Sequence, residues 1–272
     1  MKITLIEPRG FCFGVCRALK MLDDLLPEHP YVLHEIVHNK QIVGDYQQKG
    51  VCFVENLDQV PPKAHLVLSA HGVTKEIEKK ARQNFTVTDT TCPFVKKNHR
   101  WVQELEAKGI PVILIGKASH AEIIGLLGQL KQKAFIISNE KDVDALPNFD
   151  CVGVATQTTL SVDDTQQIVL ALQKKYKNIL FQNGVCMATQ ERQKAVKQAA
   201  LTNQLIIVVG DKKSSNANRL VEVAKSAGAD SVLVETVEDL KNMSFPDTIA
   251  ITAAASAPER IVAEILDFLK RY

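Results

Sequence analysis

Three of the six cysteines in this 272-residue chain share one setting. Cys12 follows the run ITLIEPRGF, Cys92 follows FTVTDTT and precedes Pro93, and Cys186 follows NILFQNGV. Each falls where a short apolar run gives way to a turn and then to an amphipathic segment. A thiol at a helix N-terminus is acidified, because the helix dipole favours the thiolate. Thiolate is the form that binds metal. Three convergent thiolates could hold zinc or an iron–sulfur cluster, and three ligands leave one metal position open for chemistry. The spacings of 80 and 94 residues each leave room for one small α/β lobe. Cys16 lies one helical turn after Cys12 and reads as a small residue packed under the turn. Cys52 and Cys151, inside the apolar runs GVCFVE and FDCVGVA, read as buried small hydrophobes.

A second set of groups sits in the other turns. These are EIVHN with His38, SAHGV with His71, GKASHAE with His120 and Glu122, TQTTLS with Thr158 and Thr159, GDKKSSN with Ser214, Ser215 and Asn216, and TAAASAPE with Ser256. Each is a helix-capping residue by type, yet so many polar turns at strand ends exceed what capping requires. Helix N-termini bearing Ser, Asn and Gly bind phosphate, and three histidines add donors. The set suits a small, anionic, phosphorylated ligand. His29, His34, His65 and His99 lack such a setting; His99 falls mid-helix and reads as a surface or packing residue. No GxGxxG follows a strand and no GxxxxGK[ST] occurs, so dinucleotide and P-loop sites are unsupported.

The elements that must hold these groups alternate. Ten apolar runs read as strands: 3–6, 65–70, 85–89, 111–116, 134–138, 151–155, 178–181, 205–210, 231–235 and 248–252. Helical periodicity is clear over 95–109, 163–176, 191–202 and 258–272. Alternation of this kind predicts an α/β fold of covered parallel sheets, with ligands bound at the carboxyl ends of the strands. The expected division is three lobes, 13–92, 93–186 and 187–260, with an N-terminal strand in 1–12 and a C-terminal helix or tail in 261–272. Composition is that of an ordinary globular protein, with 46% hydrophobic and 24% charged residues. A net charge of +2 gives no case for nucleic acid or a membrane surface. No apolar run is long enough to span a bilayer, and Glu7 and Pro8 interrupt the start where a signal peptide is apolar. The expectation is a cytoplasmic protein with free thiols.

The motifs RGFCFGVCRA, HEIVHN, LSAHGV, TDTTCPFV, SHAEIIG, TQTTLS, VCMATQERQ, SSNANRL and TAAASAPER resemble, in that order, those of the 4-hydroxy-3-methylbut-2-enyl diphosphate reductase family. The resemblance runs from residue 9 to about residue 260. It implies three αβα lobes in a pseudo-threefold cloverleaf around one 4Fe–4S cluster. Cys12, Cys92 and Cys186 would ligate the cluster, leaving the fourth iron open to the substrate hydroxyl. Glu122 would supply protons, with Thr158 and His120 completing the relay. His38, His71, His120, Thr158, Thr159, Ser214, Ser215, Asn216 and Ser256 would hold the diphosphate, without a lysine or arginine clamp.

The implied reaction is reductive dehydroxylation to isopentenyl and dimethylallyl diphosphate, the last step of the non-mevalonate pathway, with ferredoxin or flavodoxin as electron donor. Negative charge from cluster and diphosphate would raise the Glu122 pKa; the competing role for Glu122 is as an acidic first-turn residue of its helix. A zinc-dependent hydrolase and an iron–sulfur redox sensor using Cys16 are the alternative functions. The chain departs from the family pattern at Ala121 and Ile124, where proline and glutamate are common, and at Ala254, where glycine is common. These changes imply altered loop rigidity and affinity, and the same reaction.

Overall fold

A computed structural model describes residues 1–271. Tyr272, the last residue of the expected terminal helix, lies outside the described residues. The order is β1 (Lys2–Leu5), α1 (Phe13–Asp23), β2 (Tyr31–Leu33), α2 (Lys40–Gln48), β3 (Cys52–Val54), β4 (His65–Leu68), α3 (Lys75–Asn84), β5 (Thr86–Asp89), α4 (Pro93–Ala107), β6 (Val112–Ile115) and α5 (Ala121–Leu127). It continues with β7 (Phe135–Ile137), β8 (Cys151–Thr156), α6 (Val162–Lys175), β9 (Asn178–Phe181), α7 (Met187–Ala200), β10 (Leu205–Val209), α8 (Ser215–Ser226), β11 (Asp230–Val234), β12 (Thr248–Ala253) and α9 (Glu259–Arg271).

The strands form three four-stranded parallel sheets, ordered β1-β12-β10-β11, β5-β4-β2-β3 and β9-β8-β6-β7. The α/β class and its three lobes are therefore as the sequence implied. Each sheet repeats one plan: a first edge strand, two central strands and a second edge strand. The plan closes the first sheet across the whole chain, since β1 pairs with β12 from Lys2↔Thr248 to Leu5↔Ile251.

Central strands are buried on both faces and read as unbroken apolar runs. In β10, Leu205, Ile207 and Val209 pack with Ile261 and Ile265 of α9, while Ile206 and Val208 pack with Val196 of α7 and Leu220 of α8. This is the two-residue period of a strand serving two cores. In the sheet of β6 and β8, Ile113, Ile115 and Val154 meet Ile168 and Leu172 of α6. Val112, Leu114 and Ala155 meet Val102 and Leu105 of α4 and Ile123 of α5.

By internal contacts the chain forms two units. The first comprises Met1–Cys16, Val37–Tyr46 and the chain from Met187; the second comprises Arg17–Ile36 and Gln47–Cys186. Two cysteine expectations need correction. Cys52 is exposed, because β3 is a three-residue edge strand whose first side chain has no covering layer. Cys16 is also exposed, on α1, and does not pack under the turn. Cys151, the first residue of β8, is half-buried.

Candidate active site

The three singled-out cysteines occupy equivalent places. Cys12 and Cys186 stand immediately before α1 and α7, and Cys92 is the N-cap of α4. The strands that precede them, β1, β5 and β9, are edge strands, each paired with a central strand. Each cysteine N–H donates to a carbonyl in the turn after that central strand: Cys12 to Ala255 (3.2 Å), Cys92 to Ala70 (3.0 Å) and Cys186 to Thr158 (3.1 Å). One device thus ties each thiol to a polar turn. None of the three is in a disulfide, and all are half-buried. Cys12 lies in the first unit and Cys92 and Cys186 in the second. Among the described residues no group of three His, Cys, Asp or Glu is close enough to hold a metal ion. The fit to a metal centre is one of donor chemistry: three thiols outside any disulfide, each at a helix N-terminus.

In the second unit the turn after β6 leads into α5. His120 is the N-cap, its Nδ1 accepting from the Glu122 N–H at 3.2 Å. That role leaves Nε2 as the protonated nitrogen of the neutral ring. Since His120 caps the helix, the Glu122 carboxylate is free to turn elsewhere. It is 2% exposed, and both its oxygens accept from the Thr158 N–H at 3.0 Å. Oε2 also accepts from Thr158 Oγ1 at 2.9 Å, with the Asn98 amide nearby. Burial pushes the Glu122 carboxyl up to about 7, and these hydrogen bonds hold it back from rising further. The cause is desolvation within the chain itself. A carboxyl half-protonated near neutrality, bonded to a hydroxyl, can serve as a general acid.

The His71 ring stands edge-on to that of His120, centroids 6.4 Å apart. His71 follows β4, and Gly72 beside it has a left-handed φ of +78°. Thr159 Oγ1 accepts from Gln157 Nε2 at 2.8 Å. The second unit therefore gathers His71, His120, Glu122, Thr158 and Thr159 around the turns to which Cys92 and Cys186 are tied.

In the first unit, Ser256 Oγ donates to the His38 carbonyl at 3.0 Å, next to the Ala255 carbonyl that holds Cys12. The turn after β10 is joined to the same segment, since the Lys40 N–H donates to Asp211 at 3.0 Å. Ser214 caps α8 by accepting from the Ala217 N–H, and Ser215 begins the helix. Asn216 is 4% exposed, yet neither its Nδ2 nor its Oδ1 has a partner. A buried amide left unsatisfied costs roughly 1–3 kcal/mol, a cost that a polar ligand would relieve. Lys212 and Lys213 are exposed, with the Lys212 ammonium 3.9 Å from Asp239.

Three further residues escaped the sequence reading. Arg192 is buried and donates to the Gly10 carbonyl at 2.6 Å, bracing the turn that leads to Cys12. His99 packs beneath the His71 turn and α5: a Cβ on Gly72 would come 2.9 Å from its Cε1, and one on Gly125 3.4 Å from its Nε2. Its Nε2 is buried without a partner, and burial lowers the imidazole to about 4. Asn98 is the third; its signal was a polar residue in the buried stripe Val95, Asn98, Val102 and Leu105 of α4.

Known proteins share this plan. The family model described as LytB protein matches residues 3–270. The chain belongs to the LytB family. A curated LytB relative, the 4-hydroxy-3-methylbut-2-enyl diphosphate reductase of Actinobacillus pleuropneumoniae serotype 3 (strain JL03), is 42% identical, covering 99% of this chain and 90% of its own. The solved E-1-hydroxy-2-methyl-but-2-enyl-4-diphosphate reductase of Plasmodium falciparum superposes with a TM-score of 0.94 at 35% identity, over 98% of this chain and 87% of that one. A second solved structure, of (E)-4-hydroxy-3-methyl-but-2-enyl diphosphate reductase, described as the terminal enzyme of the non-mevalonate pathway, gives 0.73 at 30% identity over the full length of both. No helix among the described residues of this LytB chain is long and apolar enough to cross a membrane.

Proposed function

We propose that this chain reduces 4-hydroxy-3-methylbut-2-enyl diphosphate to isopentenyl and dimethylallyl diphosphate, the last step of the non-mevalonate isoprenoid pathway. Full-length membership of the LytB family supports the activity. The observation that carries the chemistry is the buried Glu122 carboxyl, raised to about 7 and bonded to Thr158.

The reaction replaces a carbon–oxygen bond with a carbon–hydrogen bond. It consumes two electrons and two protons and releases water. Cys12, Cys92 and Cys186 would hold one 4Fe–4S cluster, with its fourth iron left to the substrate hydroxyl. Bound there, a cluster supplies single electrons and a Lewis acid that weakens the bond to the departing oxygen. An external one-electron protein, ferredoxin or flavodoxin, is the matching donor, and the cytoplasm is the matching compartment. The three lobes take the bounds 13–92, 93–186 and 187–260.

The remaining work falls to side chains. Glu122 holds the acid proton at Oε1 or Oε2, and Thr158 Oγ1, 2.9 Å from Oε2, extends the relay. His120 adds an N–H donor at Nε2. The diphosphate would be held by His38, His71, His120, Thr158, Thr159, Ser214, Ser215, Asn216 and Ser256. The unpartnered Asn216 amide supports that role most directly. Metal analysis and the visible spectrum of anaerobically purified protein test the reading. Iron and sulfide in equal amounts, with a spectrum that shifts on adding substrate, is the expected result. Zinc in their place, or a spectrum indifferent to substrate, would contradict it.

A further inference from the structure

Thr158 holds the Glu122 carboxylate, and Asn98 holds the strand end that carries Thr158. Asn98 is 1% exposed and sits on α4 among Val95, Val102 and Leu105. An aliphatic side chain would complete that stripe without the need for hydrogen-bond partners. The amide instead uses each of its groups. Nδ2 donates to the Thr156 carbonyl at 3.0 Å, and Oδ1 accepts from Gln182 Nε2 at 3.2 Å.

These partners belong to different segments. Thr156 ends β8, two residues before Thr158, and Gln182 follows β9, four residues before Cys186. Between them the chain crosses Asn98 at Gly184. A Cβ there would lie 2.8 Å from Asn98 Nδ2 and 2.6 Å from Thr156 Oγ1, so the passage admits only glycine. One amide thus joins the end of β8, two residues before the threonine that holds the acid, to the loop that delivers a cysteine.

We propose that Asn98 is a positioning residue that fixes the Glu122 carboxylate and the loop to Cys186 against each other. The role rests on the reading of Glu122 as the proton donor. An amide suits it because it donates to one segment and accepts from another at once. An aspartate in its place would set a second carboxylate against Glu122, and an aliphatic residue would leave the Thr156 carbonyl and Gln182 without partners.

Turnover and substrate affinity of Asn98→Leu, Gln182→Leu, Glu122→Gln and the double variant Asn98→Leu/Glu122→Gln test this. Loss of the buried hydrogen bond that sets the Thr158 turn predicts a fall in kcat of roughly 10- to 100-fold for Asn98→Leu, with KM changed by less than about threefold. Gln182 is half-buried and its loss removes only the anchor of Oδ1, so Gln182→Leu predicts a smaller fall and stands in if the buried substitution does not fold. In the Glu122→Gln background, Asn98→Leu should slow turnover no further, because both act through one proton. An undiminished extra loss in that background, or a normal kcat in Asn98→Leu or Gln182→Leu, overturns the brace and leaves Glu122 its role. Normal turnover in Glu122→Gln alone overturns the proton-donor reading, and the brace with it.

Discussion

Replacing Glu122 with glutamine removes one titratable proton and little else. Oε1 of the amide can still accept from the Thr158 N–H. The other position becomes a donor facing Thr158 Oγ1, and that hydroxyl can rotate to accept. The Thr158 turn, and with it the Cys186 N–H bond, is therefore kept. With the carboxyl at about 7, about half the molecules carry the proton at neutral pH, and the protonated fraction drops roughly tenfold per unit well above it. A positioned general acid contributes roughly 10²–10⁴-fold, so turnover should fall by about that factor while substrate still binds. Anaerobic turnover with a chemical reductant, followed across neutral pH, is the assay. The native protein should lose rate above about pH 7, and the variant should be slow and nearly flat. A variant within about threefold of the native rate, or one with the same alkaline decline, would refute the acid role.

Serine at Cys12, Cys92 or Cys186 should abolish bound iron and sulfide, whereas serine at Cys16, Cys52 or Cys151 should not; metal analysis decides each. Asn216→Leu should stabilise the free protein by about 1–3 kcal/mol, because it removes an unsatisfied buried amide, and weaken substrate binding roughly tenfold or more. Thermal unfolding and a binding titration read the two opposite effects. Glu122 and His99 should also oppose one another in pH-dependent stability. The Glu122 carboxyl, raised from 4.5 to about 7, contributes stability that is full below 4.5 and lost as pH rises through 7. The His99 imidazole, lowered from 6.5 to about 4, contributes stability that is full above 6.5 and lost as pH falls through 4. Each is worth about 3 kcal/mol at about 1.4 per unit, so the two slopes nearly cancel between them. Glu122→Gln should unmask a stability that rises with pH over that window; an unchanged flat profile would show that one of the two groups is not buried as described.

The positions of the chemistry were legible because they follow from chain order. A β-branched run, a turn and an amphipathic segment mark a strand-to-helix junction, and Cys12, Cys92 and Cys186 stand at such junctions. Helix α7 begins at Met187, directly after Cys186 and four residues before the periodic stretch 191–202. What stayed hidden depends on distant partners. Strands β2 and β3 have only three residues each, too few to display a period, and Cys52 is exposed because its strand is an edge, which only pairing reveals. The Glu122 carboxyl is raised by burial beside Thr158, 36 residues away, a setting that no local pattern encodes. Asn98 and His99 lie on a helix whose periodicity was plain, but which of its residues touch the acid and the His71 turn depends on how α4 packs on β8 and α5. Ala121 follows the capping His120, and Ile124 is exposed on α5; neither displaces Glu122 from Thr158.

The central claim is the reaction itself. Purified, anaerobic, reduced protein should be given 4-hydroxy-3-methylbut-2-enyl diphosphate and its products identified. Conversion to isopentenyl and dimethylallyl diphosphate, with the diphosphate intact, is the predicted result. Recovery of unchanged substrate from iron-loaded protein, or release of phosphate without loss of the hydroxyl, would contradict the account.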